Sequence, residues 1–462
     1  MPSRFEEGYG LNMEAIDHIA EKGCDLIITV DCGSVSYREV EHAKELGLKI
    51  MVTDHHNITD VMADCILINP KRPDSAYPFK ELSGCGVAFK LAQALQKKAG
   101  LPKHVLTEVL DLAAIGTVGD IMPLIDENRT ITKFGIKVLN MGERAGLKQL
   151  TEGTSLKAGR ITSGNISFVI VPHLNASGRI EDASQAVELL LGKCGPDRMG
   201  NIVEDILEKN IRRRKLQTDL FHLCCSQLDS DDPDDFIVME AEASYEGIAG
   251  IVAGKIKDSY YRPTVIVTPT SEDEIKGTGR SIAGVNLYEL LKTQESLFEK
   301  FGGHSGACGF SMKKKNLTAL RAGLAEQMKS LKEKDSGIFK RKYDIDLELT
   351  PEQLTIDLAE QLELLAPFGN KNPKPLIRCS GVMIDGAKYM GDEMQHARFF
   401  AHGEDGGRVQ CVMFGKAQGY DFEELGCVPV DIVGTLECQV WQGVKRLQLL
   451  VSEIQIDEEE MR

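Results

Sequence analysis

No stretch of about 18 consecutive apolar residues occurs in this chain, so no helix is expected to cross a membrane. No CxxC pair occurs either, although cysteine stands at 12 positions; this argues against a zinc ribbon or a thioredoxin-type centre and fits reduced thiols in a cytoplasm. The N-terminal stretch MPSRFEEGYG has no apolar signal core, which also points to a cytoplasmic protein. Positive charge is scarce. Lysine and arginine total 54 against 70 aspartates and glutamates, a net charge of −16. That balance opposes nucleic-acid binding through the whole surface, while leaving room for a local basic groove. It also suits a site that gathers carboxylates around divalent cations, where the metal supplies the positive charge.

What is present organises into several units, because 462 residues exceed one ordinary core. A helix over 13–22 precedes a β-type run, Asp25 to Val30, that stops at Asp31-Cys32-Gly33. Helical character over 37–46 leads to a second β-type run, Leu48 to Thr53, which stops at Asp54-His55-His56. Strand, helix, strand predicts two parallel neighbours. Further helices are expected near 83–99 and 103–117, and residues 1–192 read as one α/β domain. A connector helix is expected within 193–230, its basic cluster Arg212–Lys215 on a solvated face, ending in the acidic turn 229–235. Residues 231–335 read as a second, smaller α/β domain, with helices near 247–258 and 286–300 and a glycine-rich loop at 302–309. The last part, 340–462, has five β-type runs that suggest a small antiparallel barrel.

The two interrupted β-type runs carry the chemistry. Ligands in open α/β sheets bind outside the carboxyl ends of the strands. Asp31 and Asp54-His55-His56 should therefore reach one spot, and carboxylate oxygen with imidazole nitrogen suits Mn²⁺ or Mg²⁺. Asp120, which ends the apolar stretch from Ala113, is a third candidate. Taken singly, an aspartate after a strand is more often a turn or helix cap.

The ordered set Val30-Asp31-Cys32-Gly33, Asp54-His55-His56 and Gly116-Thr117-Val118-Gly119-Asp120 resembles the DHH phosphoesterase superfamily. Phe5 to Asn12, Pro172 to Arg179, Gly302 to Gly306 and Leu365 to Asn370 narrow the resemblance to the RecJ-type single-strand exonucleases, over essentially the whole chain. The resemblance implies an α/β fold: a parallel-sheet DHH domain, a connector helix, a DHHA1-like domain and an OB-like barrel. It also implies two-metal hydrolysis of single-stranded DNA from the 5′ end, in recombination and repair. Asp31, His55 and Asp120 are then metal ligands, and Asp54 and His56 complete the cluster as ligands or orienters. Asn175, Ser177, Arg179, Arg280, Ser281, Gly303 and His304 become DNA or phosphate contacts. Trp441, the only tryptophan, becomes a candidate stacking platform. A monomer that meets a single-strand-binding protein or a helicase is expected.

Two departures stand out. The family's Asp-x-Asp pair, at the end of its first strand, has no counterpart upstream of Asp31, and His173 stands where the family usually has arginine. The expected first domain thus lacks its first strand and exposes a pairing edge. The chain would be a piece of a longer nuclease or a short DNA-binding protein, and the otherwise intact chemistry favours the former. A phosphodiesterase of small nucleotides is the remaining alternative.

Overall fold

Asn12 starts the first helix by accepting the Ala15 amide at 2.7 Å, which satisfies one of the orphan donors of α1 (Met13–Glu21). The chain then runs through β1 (Leu26–Val30), α2 (Tyr37–Glu45), β2 (Lys49–Thr53) and β3 (Ile66–Ile68). This is a computed structural model, and it describes residues 10–58, 61–180, 183–228 and 233–456, with the side chains of Ile180 and Trp441 left out. Phe5 to Tyr9 and residues 229–232 of the acidic turn lie outside the described residues.

The three strands are parallel in the order β1-β2-β3. Helices α1 and α2 cover one face through Ile16, Val40 and Ala43, which meet Ile50, Val52 and Leu67. Among the described residues nothing pairs the outer edge of β1, and Leu26, Ile28 and Val30 are each 49% exposed. Among the described residues this edge is open to pairing.

Beyond the sheet come α3 (Gly84–Ala99), α4 (Leu110–Gly119), α5 (Asp126–Met141) and α6 (Val171–Ile180). Proline, asparagine, serine and glycine between 172 and 179 read as a turn in sequence. The segment is helical instead. Pro172 comes just after a π-helical turn, Ile166–Ile170, and such a turn accommodates a residue without an N–H inside a continuous helical run, while buried Leu174 and Ala176 hold the helix against its neighbours. The connector α7 (Pro196–Cys225) is a single helix that serves two cores. Met199, Ile202, Val203 and Ile206 pack into the first unit, whereas Leu220 and Cys224 pack into the second. Each such side chain, fully buried, stabilises by ~2 kcal/mol, so the helix ties the units together.

The second unit contains β4 (Ile237–Glu240), α8 (Glu246–Tyr260), β5 (Thr264–Pro269), β6 (Glu274–Arg280), β7 (Phe298–His304) and β8 (Ala307–Lys313), in the sheet order β4-β5-β6-β8-β7. The helix expected over 286–300 stops at Lys292, and β7 begins at Phe298. Phe301 stacks on Tyr288 and Phe298 packs on Phe310, so aromatic packing fixes the strand. The glycine-rich loop is in fact a hairpin. Gly302 pairs with Gly309, Gly303 with Cys308 and His304 with Ala307. The third unit contains β9 (Leu347–Glu348), β10 (Ile377–Met390), β11 (His396–His402), β12 (Arg408–Met413), β13 (Val430–Trp441) and β14 (Val444–Ile456). It is one sheet that returns on itself through a β10–β11 pairing.

Candidate metal centre and nucleic-acid track

Asp31 and Asp54 each follow the carboxyl end of a parallel strand, and the register that aligns Val30 with Thr53 sets them side by side. Asp31 has φ 68°, a left-handed conformation that is costly for a residue with a Cβ, and its amide donates to Thr53 O at 2.9 Å. Nε2 of His55 lies 3.0 Å from Asp31 Oδ1 and 3.3 Å from Asp120 Oδ2. Asp120 arrives from the end of α4, and burial pushes its carboxyl pKa up. Both carboxylates thus face one ring nitrogen of His55, and among the described residues Asp31, His55 and His56 are the group whose donor atoms lie close enough together to hold an ion. The oxygen-and-imidazole donor set fits a divalent ion such as Mn²⁺ or Mg²⁺.

Asp54 does not fit the expectation of a metal ligand. Its carboxylate is 2% exposed and fully engaged elsewhere. Oδ1 accepts from the His55 and His56 amides at 2.7 and 3.2 Å and lies 2.7 Å from His56 Nδ1, while Oδ2 accepts from the Ser34 amide at 3.0 Å. Burial alone would raise the Asp54 pKa, but the bonds from His56 and Ser34 outweigh it and hold the carboxyl well below the usual range. The same bond raises the His56 pKa. Asp54 is therefore the hub that orients both histidines.

The pair has a pH signature. Stability from the depressed Asp54 is present above the unfolded value of 3.8 and is lost as pH falls through the folded value. Stability from the raised His56 is complete below the unfolded value of 6.5 and is lost as pH rises through its folded value. The melting-temperature gap between the parent chain and Asp54→Asn is thus expected to be widest in mildly acid solution and to narrow as pH rises beyond 6.5. Melts at a series of pH values test this, and a gap that widens with pH would contradict it.

The candidate DNA residues divide into groups. Ser177 is fully buried, 0% exposed, so it faces the core and does not offer its hydroxyl to a strand. Asn175 is exposed on α6. Arg179 Nη1 donates to Gly247 O at 3.0 Å and links α6 to the start of α8. In the second unit the Ser281 amide donates to Gly306 O at 3.0 Å, which draws the β7–β8 hairpin tip toward Arg280 and Ser281. Gly303 has φ 146°, and a Cβ there would lie 2.6 Å from Cys308 Cα, so only glycine fits. His304 Nδ1 accepts from the Gly306 amide at 3.2 Å. Among the described residues no carboxylate pairs with Arg280, and burial lowers its guanidinium pKa.

Arg213 departs from the expected solvated face. It is 8% exposed, bonded to Asn210 Oδ1 at 3.0 Å and Gln217 Oε1 at 3.3 Å. His173 lies 2.7 Å from Val169 O through Nδ1 and 2.8 Å from Asn210 Nδ2 through Nε2, and burial lowers its pKa. A donor at Nδ1 and an acceptor at Nε2 describe a neutral ring. The buried cation of this patch is therefore Arg213 rather than residue 173. The Trp441 side chain lies outside the described residues. On the outer face of β11 Phe400 has the Arg408 guanidinium 3.8 Å from its ring centre.

Three family descriptions match in order: "DHH family, N-terminal domain" over residues 2–117, "DHHA1 domain" over 234–330 and "RecJ OB domain" over 345–453. The single-stranded-DNA-specific exonuclease RecJ of Escherichia coli is 30% identical over 98% of this chain and 81% of its own length. The chain belongs to the RecJ family. The Bacillus subtilis RecJ is 36% identical over 99% of this chain. The crystal structure of RecJ in complex with Mn²⁺ from Thermus thermophilus superposes with TM-score 0.82 over 97% of this chain at 28% identity. The chain spans 57% of the Bacillus subtilis protein's length and 64% of the Thermus chain.

With the RecJ fold in place, residues that sequence reasoning passed over become visible. Asn69, after β3, donates through Nδ2 to Ser34 Oγ and to His56 O, both at 2.9 Å. It follows a third strand end, the same signal that singled out Asp31 and Asp54, but three residues make a strand too short to read. Gly84 opens α3 directly against Asp31. The Ser83 cap, which accepts the Gly86 amide at 2.9 Å, was the available sign of a helix start there.

Proposed function

We propose that this chain hydrolyses phosphodiester bonds of single-stranded DNA from the 5′ end, as a metal-dependent nuclease of recombination and repair. The convergence of Asp31, His55 and Asp120 at the strand ends carries the reading. These three residues would hold a divalent ion. When bound, such an ion polarises the scissile phosphate and lowers the pKa of coordinated water. The Asp54 bond to His56 Nδ1 raises the ring's pKa, which favours the doubly protonated ring whose Nε2–H can donate to a phosphate oxygen. Arg179 and Arg280, with Asn175, Ser281, Gly303 and His304, form the proposed track for the strand, and Phe400 with Arg408 offers it a stacking surface beyond. The proposed units are residues 1–192, 193–230, 231–335 and 340–462, in a cytoplasmic monomer that meets a single-strand-binding protein or a helicase.

A second reading has one observation in its favour. Among the described residues one group, Asp31 with His55 and His56, could hold an ion, and nothing pairs the β1 edge beside it. Two-metal catalysis needs ligands on both ions, so a chain limited to one would bind strands and cleave slowly. Mn²⁺-dependent nucleotide release from a 5′-phosphorylated single strand separates the readings. Release by the parent chain, reduced ~100-fold or more in Asp54→Ala, supports the nuclease. Salt-sensitive binding with no release in either chain supports the binding-only reading.

A further inference from the structure

The loop from Leu365 to Asn372 belongs to the third unit, yet it is bonded to the segment that follows Asp120. The Leu124 amide donates to Asn370 O at 2.8 Å, and Asn370 Nδ2 donates to Ile121 O at 2.8 Å. Arg129 Nη1 donates to Leu365 O at 2.6 Å and Ser163 Oγ to Phe368 O at 2.7 Å, so the loop grips the first unit at separate points.

Ile121 is an unusual residue to find under this grip. It is β-branched, has φ 55° and is 70% exposed. Side-chain packing does not hold it there, and its own preference opposes the left-handed conformation. The chain reverses at this residue, immediately after the carboxylate that faces His55. The amide bonds of residues 120–122 all turn back into α4, to Gly116, Val118 and Thr117. The Ile121 carbonyl takes its partner from outside the helix, and Asn370 supplies it.

We propose that Asn370 is a positioning residue for the metal centre. By holding Ile121 in its left-handed conformation it fixes the direction in which Asp120 leaves α4, so the OB domain tunes the affinity of a site built in another domain. The proposal rests on Asp120 as a metal ligand. Asn370→Ala in the full chain removes the Nδ2 donor and keeps the carbonyl that Leu124 uses. Amide exchange over residues 120–124 is expected to quicken ~10-fold as the segment opens locally. Mn²⁺ affinity, read by electron paramagnetic resonance of the free ion, is expected to fall ~5- to 10-fold, the effect of about one hydrogen bond. Adding Ile121→Gly should recover most of that affinity, because glycine adopts positive φ without penalty. A general loss of structure would not be rescued by a residue that adds chain entropy. Unchanged exchange in Asn370→Ala overturns the proposal, as does a loss of Mn²⁺ affinity that Ile121→Gly deepens. If the parent chain binds no Mn²⁺, the metal reading of Asp120 fails instead, and the exchange comparison alone decides whether Asn370 holds the segment.

Discussion

Gly84→Ala is expected to abolish high-affinity Mn²⁺ binding, by ~100-fold or more, with a single methyl group placed outside the ligand set. A Cβ at residue 84 would overlap the Asp31 carboxylate and lie 2.6 Å from its Cβ and Cγ. Neither side can yield cheaply. Asp31 is pinned in a left-handed conformation with its amide on Thr53 O. The first turn of α3 is pinned by the Ser83 cap, whose hydroxyl also lies 3.1 Å from Thr117 Oγ1. The carboxylate is the movable part, and swinging it away takes it from His55. Gly86→Ala is the matched control, since a Cβ there approaches no closer than 3.3 Å to the Leu82 and Ser83 side chains. Calorimetric titration with Mn²⁺ reads both variants, and thermal melts separate a lost ligand from a lost fold. Binding by Gly84→Ala within about threefold of the parent would remove Asp31 from the metal centre.

The parts of this fold that could be read in sequence share a property: a local pattern decided them. β1 and β2 are apolar runs that end in acids, α7 is a long periodic helix with proline at its first position, and the strands of the third unit alternate between turn signals. The parts that could not be read were decided across space. Residues 298–301 lie close after the helically spaced Leu287, Leu290 and Leu291, and only aromatic contacts with Tyr288 and Phe310 make them a strand. The metal centre follows the same rule. Strand-end position pointed Asp31 and Asp54-His55-His56 to one spot and the family resemblance added Asp120 as a ligand, but neither gave the side to which the Asp54 carboxylate turns, nor that Ser177 faces inward. The Asn370 grip on Ile121 joins residues 249 apart, beyond any local pattern.

Arg280→Ala carries the second large expectation: single-strand affinity falls ~10-fold at low salt, and the slope of log affinity against log salt shrinks by roughly 0.7. A net charge of −16 repels a polyanion at long range, so any strand must be held by a few local cations. Several cations here already face a carboxylate. Lys90 faces Glu127, Arg144 faces Asp111, Arg198 faces Glu188 and Arg378 faces Asp431. Arg280 differs. Its guanidinium has lost solvent through burial and has no carboxylate partner among the described residues, only the Gly279 carbonyl at 2.8 Å. A half-buried, unpaired cation costs stability in the free protein, and a phosphate that pairs with it offsets that cost on binding. Gly250 on α8 keeps the place open, since a Cβ there would come within 3.1 Å of Arg280 Nη2. Arg280→Lys should recover only part of the affinity, because an ammonium cannot match the guanidinium's bidentate grip on phosphate. Fluorescence anisotropy of a labelled single strand, without metal and at several salt concentrations, measures both the affinity and the slope. If Arg280→Ala changes neither, the guanidinium is a structural cation of the β6 end and the strand takes another path.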